Sequence, residues 1–234
     1  AKSIAEYEGF LAHTLHFLAM SVWVGILLVT GWGSKSSDGK RWKRFLRWFT
    51  PVAIICFSLI TASGFLLMSF VNDIGEYVNA WTVSYGQALL WKHILLAPLL
   101  TFAAINALLL RWRLKKDSGF HPPPWLKAEG VLIYLVFTVT ALLSKQEPPH
   151  HIEETIVTSG KSPIFDIFYQ GDAANISEIS LGFEWIGVLF LFLSSAFLLC
   201  TVLSFWRKAS VIFGLAASLL GAVTLYLGLM LSLQ

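Results

Sequence analysis

Long apolar runs alternate along this chain with short stretches rich in basic residues. Five runs reach the roughly 20 residues that a membrane-spanning helix needs. They are Phe10 to Gly31, Phe49 to Val71, Ala88 to Leu110, Leu181 to Phe205 and Val211 to Leu233. A sixth run, Val131 to Leu143, is short, but it continues Leu126 to Gly130 across the charges of Lys127 and Glu129. The pattern predicts an all-α fold: a polytopic membrane protein, a helical bundle of about six transmembrane helices.

Composition supports the pattern. Apolar residues make up 56% and charged residues 13%, about half the charged share of a soluble domain. The first run does not read as a cleaved signal peptide. It contains His13 and His16, Glu6 and Glu8 precede it, and no small-residue cleavage site follows. The chain begins without Met and is expected to be a processed form or a piece of something longer. Cys56 and Cys200 lie inside apolar runs and read as small buried hydrophobes rather than a disulfide framework.

The charges set an orientation. Segment 33 to 47, segment 111 to 127 and the turn at Arg207-Lys208 hold 13 of the 17 basic residues, leaving Lys2, Lys92, Lys145 and Lys161 for the opposite side. By the positive-inside rule the basic loops are cytoplasmic, and both ends of the chain face outward. The net charge of +3 is therefore topological, and nucleic-acid binding is not expected. The outer side receives the loop from Asn72 to Gln87 and the long acidic loop from Gln146 to Ser180. A loop of that length is usually functional or disordered. No Walker A motif, Rossmann glycine pattern, His-Glu-x-x-His or Cys-x-x-Cys is present, which argues against ATP-driven pumping and proteolysis.

The candidate chemistry sits near the outer ends of the runs. Positions 13, 16, 20, 23 and 27 follow helical spacing and are expected to share one face, reading His, His, Met, Trp, Leu. Hydrocarbon offers imidazole no partner, so that face is expected to look inward. Imidazole with thioether suits copper, and thioether favours Cu(I). His13, His16 and Met20 are thus candidate ligands. Met68, on a face with Thr61 and Gly64, and His93, at the start of the third run, are further candidates. His150 and His151 stand in the outer loop beside Glu147, Glu153 and Glu154, where they would collect a metal loosely. Trp23, Trp81, Trp91 and Tyr77 read as interface aromatics. Gly25, Gly31, Gly64 and Gly214 suit close helix contacts.

These residues resemble a known family. The stretch His13-Thr-Leu-His16-Phe-Leu-Ala-Met-Ser-Val-Trp23-Val-Gly25 is similar to the first helix of the CopD domain family of bacterial copper-handling membrane proteins. Arg44-Phe45 with Thr61-Ala-Ser63-Gly64 resembles its second helix. Tyr85-Gly86-Gln87-Ala-Leu-Leu-Trp-Lys92 with Ala104-Ile-Asn106 resembles the third. Glu129, the apolar run to Ser144 and Pro148-Pro149 resemble the fourth. The likeness implies a four-helix domain over 1–150, followed over 151–234 by the outer loop and two further transmembrane helices. It implies a multi-pass protein of the bacterial cytoplasmic membrane that transports copper, as Cu(I) or Cu(II), generally inward, rather than an enzyme. It also implies a CopC-like extracytoplasmic copper-binding partner, fused or separate. The residues leave a second reading open. A bundle bearing His13 or His16 together with His93 near one leaflet also suits haem b, held by two axial imidazoles. More distantly, the chain resembles dihaem cytochromes b and membrane protoporphyrinogen oxidases.

Overall fold

The structure, a computed structural model, describes residues 2–34, 39–71, 76–117, 119–146, 148, 152–169 and 179–234. The described residues are helical throughout their long elements and contain no β-strand, apart from one isolated antiparallel bridge between Leu181 and Leu233. In chain order the helices are α1 (Lys2–Gly33), α2 (Gly39–Val71), α3 (Ser84–Ala104), α4 (Leu110–Lys116), α5 (Pro123–Leu143), α6 (Ile152–Ser159), α7 (Pro163–Phe168), α8 (Trp185–Trp206) and α9 (Val211–Met230). A 3-10 turn, Asn79–Thr82, precedes α3, and a π-helical segment, Ile105–Leu109, joins α3 to α4 without a break. Among the described residues six helices are long and apolar enough to cross a membrane: Tyr7–Gly33, Gly39–Ser69, Ser84–Lys116, Pro123–Leu143, Trp185–Trp206 and Val211–Met230. The protein is an all-α polytopic membrane protein.

Each apolar run becomes a helix, with boundaries set by local chemistry. The fourth span continues through Lys127 and Glu129 because one lies exposed and the other is buried on a partner. The fifth begins at Trp185 rather than Leu181. Residues 180 and 182 instead exchange backbone hydrogen bonds with residues 232 and 234, which also ends the sixth span at Met230. Ser210 starts α9 by accepting from the Ile212 N–H at 3.2 Å, as a good N-cap does.

The chain forms two compact units, Ala1–Val71 with Phe102–Ile133, and Asn72–Thr101 with Tyr134–Gln234. In the first, α1 packs along α2. Gly31 admits Leu126 of α5, whose Cβ lies 3.4 Å from where a glycine Cβ would stand, and Gly130 lies against the Trp32 ring. Gly25, expected to mediate a similar approach, has nothing within 4 Å of that position. An Arg111 guanidinium nitrogen donates to the Leu46 carbonyl.

In the second unit α8 and α9 pack as a hairpin of small and hydroxyl residues. Ser194 donates to the Gly221 carbonyl at 2.8 Å and Thr201 to that of Gly214 at 3.1 Å. Such bonds stand in for the hydrophobic drive that lipid removes. Gln87 anchors the start of α3: its amide donates to the Trp81 carbonyl at 2.6 Å, and the Tyr226 hydroxyl donates to its carbonyl oxygen at 2.7 Å. Trp91 stacks on Tyr226 at 4.6 Å. A Cβ at Gly86 would overlap the Ala80 carbonyl, so only glycine lets α3 start beneath the 3-10 turn. The long acidic loop is partly built: α6 and α7 lie within it, the Ser162 N–H donates to the Thr82 carbonyl at 2.8 Å, and Phe165 is fully buried.

Candidate metal site between the first two helices

The face expected on α1 exists, but His13 is not on its buried side. Ala12, Ala19, Trp23 and Leu27 are buried, His16 and Met20 are half-buried, and His13 is exposed beside Phe10, Thr14 and Phe17. The physical reason is angular. Residues 12, 16, 19, 23 and 27 fall on one stripe at helical spacing, and position 13 is a 100° step away from 12.

His16 turns toward α2. Its Nδ1 lies 3.0 Å from Ser63 Oγ. That hydroxyl has one hydrogen, and Oγ already stands 2.6 Å from the Leu59 carbonyl and 3.2 Å from that of Ile60, both of which can only accept. Ser63 therefore accepts from His16 and the proton sits on Nδ1, so the contact fixes the tautomer and the orientation of the ring, as hydrogen-bonded partners do for ligating imidazoles. The ring lies over Gly64, where a Cβ would meet Cε1 at an ordinary contact distance of 3.6 Å.

The register of the two helices follows from two contacts. His16 meets Ser63 and Gly64, and seven residues further along α1 the Trp23 ring lies 6.5 Å from Phe57. Opposite Trp23, Cys56 is buried with its thiol against the Trp23 backbone. The helices are antiparallel. On α2, Cys56, Ile60, Gly64 and Met68 recur every fourth residue, and on α1 Ala12, His16 and Met20 do the same. At about 1.5 Å per residue, the register sets Met68 level with Ala12, then His16, then Met20, then Cys56 level with Trp23, in steps of about 6, 6 and 4.5 Å. Thioether, imidazole, thioether and thiol thus stand at successive levels of the two helices. Met68, like Met20, is half-buried.

Among the described residues no three His, Cys, Asp or Glu side chains converge to hold a metal ion. What these levels offer is a succession of soft, sparse ligands, which suits Cu(I) better than an oxygen-seeking divalent ion. Cys56 is buried, as expected of a small hydrophobe, whereas Cys200, expected to be the same, is exposed.

His93 belongs to the second unit. The Tyr77 hydroxyl lies 2.7 Å from its Nδ1, so a ligand reaches the ring only through Nε2. Burial pushes the Tyr77 phenol up to about 12. Tyr77 is thus a hydrogen-bond partner of His93. Trp23 and Trp81 are buried as well, and Trp91 is stacked. His150 and His151 lie outside the described residues.

Residues 43–143 match the family described as copper resistance protein D. The match takes in Ser63, Gly64, Met68, His93, Asn106 and Glu129, while His13 and His16 precede it. The chain is also similar to the copper transport protein CutJ of Bacillus subtilis (strain 168), at 28% identity over 182 residues, which are 73% of this chain and 32% of that protein. The chain spans about a third of the length of the curated relative it matches. No solved structure matches it. The family resembled by the residues, CopD, is the one whose model matches over 43–143.

Proposed function

From a multi-pass chain carrying a CopD-family region, we propose that this protein moves copper inward across the bacterial cytoplasmic membrane, taking the ion at an outer site between α1 and α2. The observation that carries the reading is the His16 imidazole, oriented toward α2 by the contact of its Nδ1 with Ser63 Oγ at 3.0 Å. Met68 above it and Met20 below it supply thioethers at neighbouring levels. His13, exposed near the outer end of α1, makes the first contact with an arriving ion. Cys56 is the next soft ligand inward. The name of the relative, a copper transport protein, supports the cargo.

The outward side follows from the partition of basic residues, and it puts the His16 level where extracytoplasmic copper arrives. A CopC-like copper-binding domain or protein is the expected donor, and the 1–150 region is the copper-handling domain. His93, fixed by Tyr77, and the His150-His151 pair are additional outer ligands. The chemistry is ligand exchange and leaves no covalent product, so transport rather than catalysis is the activity proposed.

The test is a copper titration of purified full chain under anaerobic conditions against a competing Cu(I) chelator, with metal content measured directly. The parent is expected to hold copper stoichiometrically, and His16→Ala is expected to lose it. Undiminished binding by His16→Ala would remove the site. A visible spectrum of the same preparation separates the haem reading, since a bis-imidazole haem gives a Soret band that a copper protein lacks.

A further inference from the structure

Glu129 lies about 9 Å along α5 from Pro123, at the end of that span nearer the basic loops. It is 2% exposed. Its hydrogen-bond partner is Asn106, whose Nδ2 donates to Oε2 at 2.7 Å and to the Trp125 carbonyl at 3.2 Å. Both amide hydrogens are then used and the amide cannot flip, because Trp125 offers only an acceptor. That leaves Asn106 Oδ1 buried with no hydrogen bond, an empty acceptor beside a carboxyl. Asn106 stands on the π-helical segment Ile105–Leu109, and single π turns inside long helices are frequent at functional sites.

The charged groups on the surrounding elements are otherwise engaged. Arg111 donates to the Leu46 carbonyl, Arg113 lies 4.7 Å over the Phe120 ring, and Lys127 is exposed. The apolar end of α1, packed on α5 through Gly31 and Trp32, brings no charge. Among the described residues Glu129 has no basic partner. A carboxylate with one amide donor and no countercharge inside a membrane is costly, and such groups commonly carry protons.

We propose that Glu129 and Asn106 form a proton-binding site within the membrane, loaded from the side of the basic loops. The proton is carried by water or hydronium, which donates to the vacant Asn106 Oδ1, and it passes to a Glu129 carboxylate oxygen. The reverse transfer returns it to water. Asn106 is the positioning residue and Glu129 the group that gains and loses charge. The proposal needs only the membrane placement of α5, so it stands or falls independently of copper as cargo.

Infrared difference spectroscopy of the full chain in lipid tests it, with buffer pH cycled around neutrality, where solvated carboxylates stay ionised. The parent should show a protonated-carboxyl band that rises and falls reversibly with pH and shifts in heavy water. Glu129→Gln, which keeps size and hydrogen bonding, should lose the band. Glu129→Asp should restore it at a shifted frequency, and Asn106→Ala should shift it by removing a donor. If Glu129→Gln removes no band, or the band responds to neither pH nor heavy water, Glu129 is a structural plug and the proposal is overturned.

Discussion

The imidazole of His16 lies over Gly64: a Cβ built there would stand 3.6 Å from Cε1 and 3.9 Å from Nδ1. Those are ordinary van der Waals distances, so a methyl group fits and a larger side chain does not. Gly64→Ala should bind Cu(I) with affinity near that of the parent. Gly64→Leu should drive the ring off Ser63 and weaken binding by at least about tenfold, roughly 1.4 kcal/mol. Chelator competition measures both. A Gly64→Leu protein that binds like the parent would place the copper site elsewhere.

Ser63 carries the second expectation. Removing its hydroxyl frees His16 Nδ1–H, and the ring loses both its fixed tautomer and its orientation. Loss of such an outer partner typically lowers metal affinity about 10- to 100-fold. Ser63→Ala should fall in that range while remaining folded, because hydroxyl bonds between membrane helices contribute only about 0.6 kcal/mol on average. Ser63→Thr, which keeps the hydroxyl, should recover most of the affinity. Equal binding by Ser63→Ala and the parent would mean the tautomer is not set by this contact.

Much of this was legible in the chain. Hydrophobic run length gave every span, including the one interrupted by Lys127 and Glu129, because a span's length and apolarity are local properties. The ligand types on α1 were legible too. What spacing could not supply was the register of α1 on α2. Without it Ser63 is only one residue of a family-like stretch, and His13 looks as buried as His16. The Tyr77 contact was not legible for a similar reason: only the fold turns its hydroxyl onto His93. The helices α6 and α7, eight and six residues long, are too short to stand out as periodic runs, and they are held by tertiary contacts such as Ser162 to Thr82.

The Tyr77 contact has an alkaline signature. Its phenol is pushed up to about 12 by burial, against about 10 for an ordinary tyrosine. The folded state therefore holds that proton more tightly than the unfolded chain does. The contribution is complete below about pH 10 and is lost as pH rises through about 12. Phenolate absorbance of the parent minus that of Tyr77→Phe should show a single late step near the upper value. A step at the ordinary tyrosine position would mean that the hydroxyl is not enclosed against His93.

Orientation is checked by labelling in intact cells. In a background with Cys56 and Cys200 replaced by Ala, cysteines introduced at Ser36 and Ser118 should resist impermeant thiol reagents. One at Ser159, exposed at the end of α6, should react. The basis is the concentration of 13 of the 17 basic residues in alternate loops. External labelling of Ser36 would invert the protein and turn the His16 level toward the cytoplasm.

Cys56 tests whether the seam between α1 and α2 is a path or only an entrance. Its thiol lies roughly two turns further in than the His16 level and about 4.5 Å beyond Met20 along the axis. A thiol at that depth is the strongest soft donor on the seam. If copper passes from His16 by ligand exchange, each step needs an acceptor within a short reach, and Cys56 follows Met20. Cys56→Ser keeps the size of the side chain and a polar atom but removes the sulfur, so the packing against Trp23 survives. X-ray absorption at the copper edge, at more than one equivalent of copper, should then lose a sulfur contribution that the parent shows. Copper uptake into proteoliposomes should slow by about tenfold, an added barrier of about 1.4 kcal/mol. Met20→Leu should slow uptake in the same direction, since it lengthens the step between His16 and Cys56. If Cys56→Ser keeps both the sulfur signal and the uptake rate of the parent, the ion leaves the seam above Cys56.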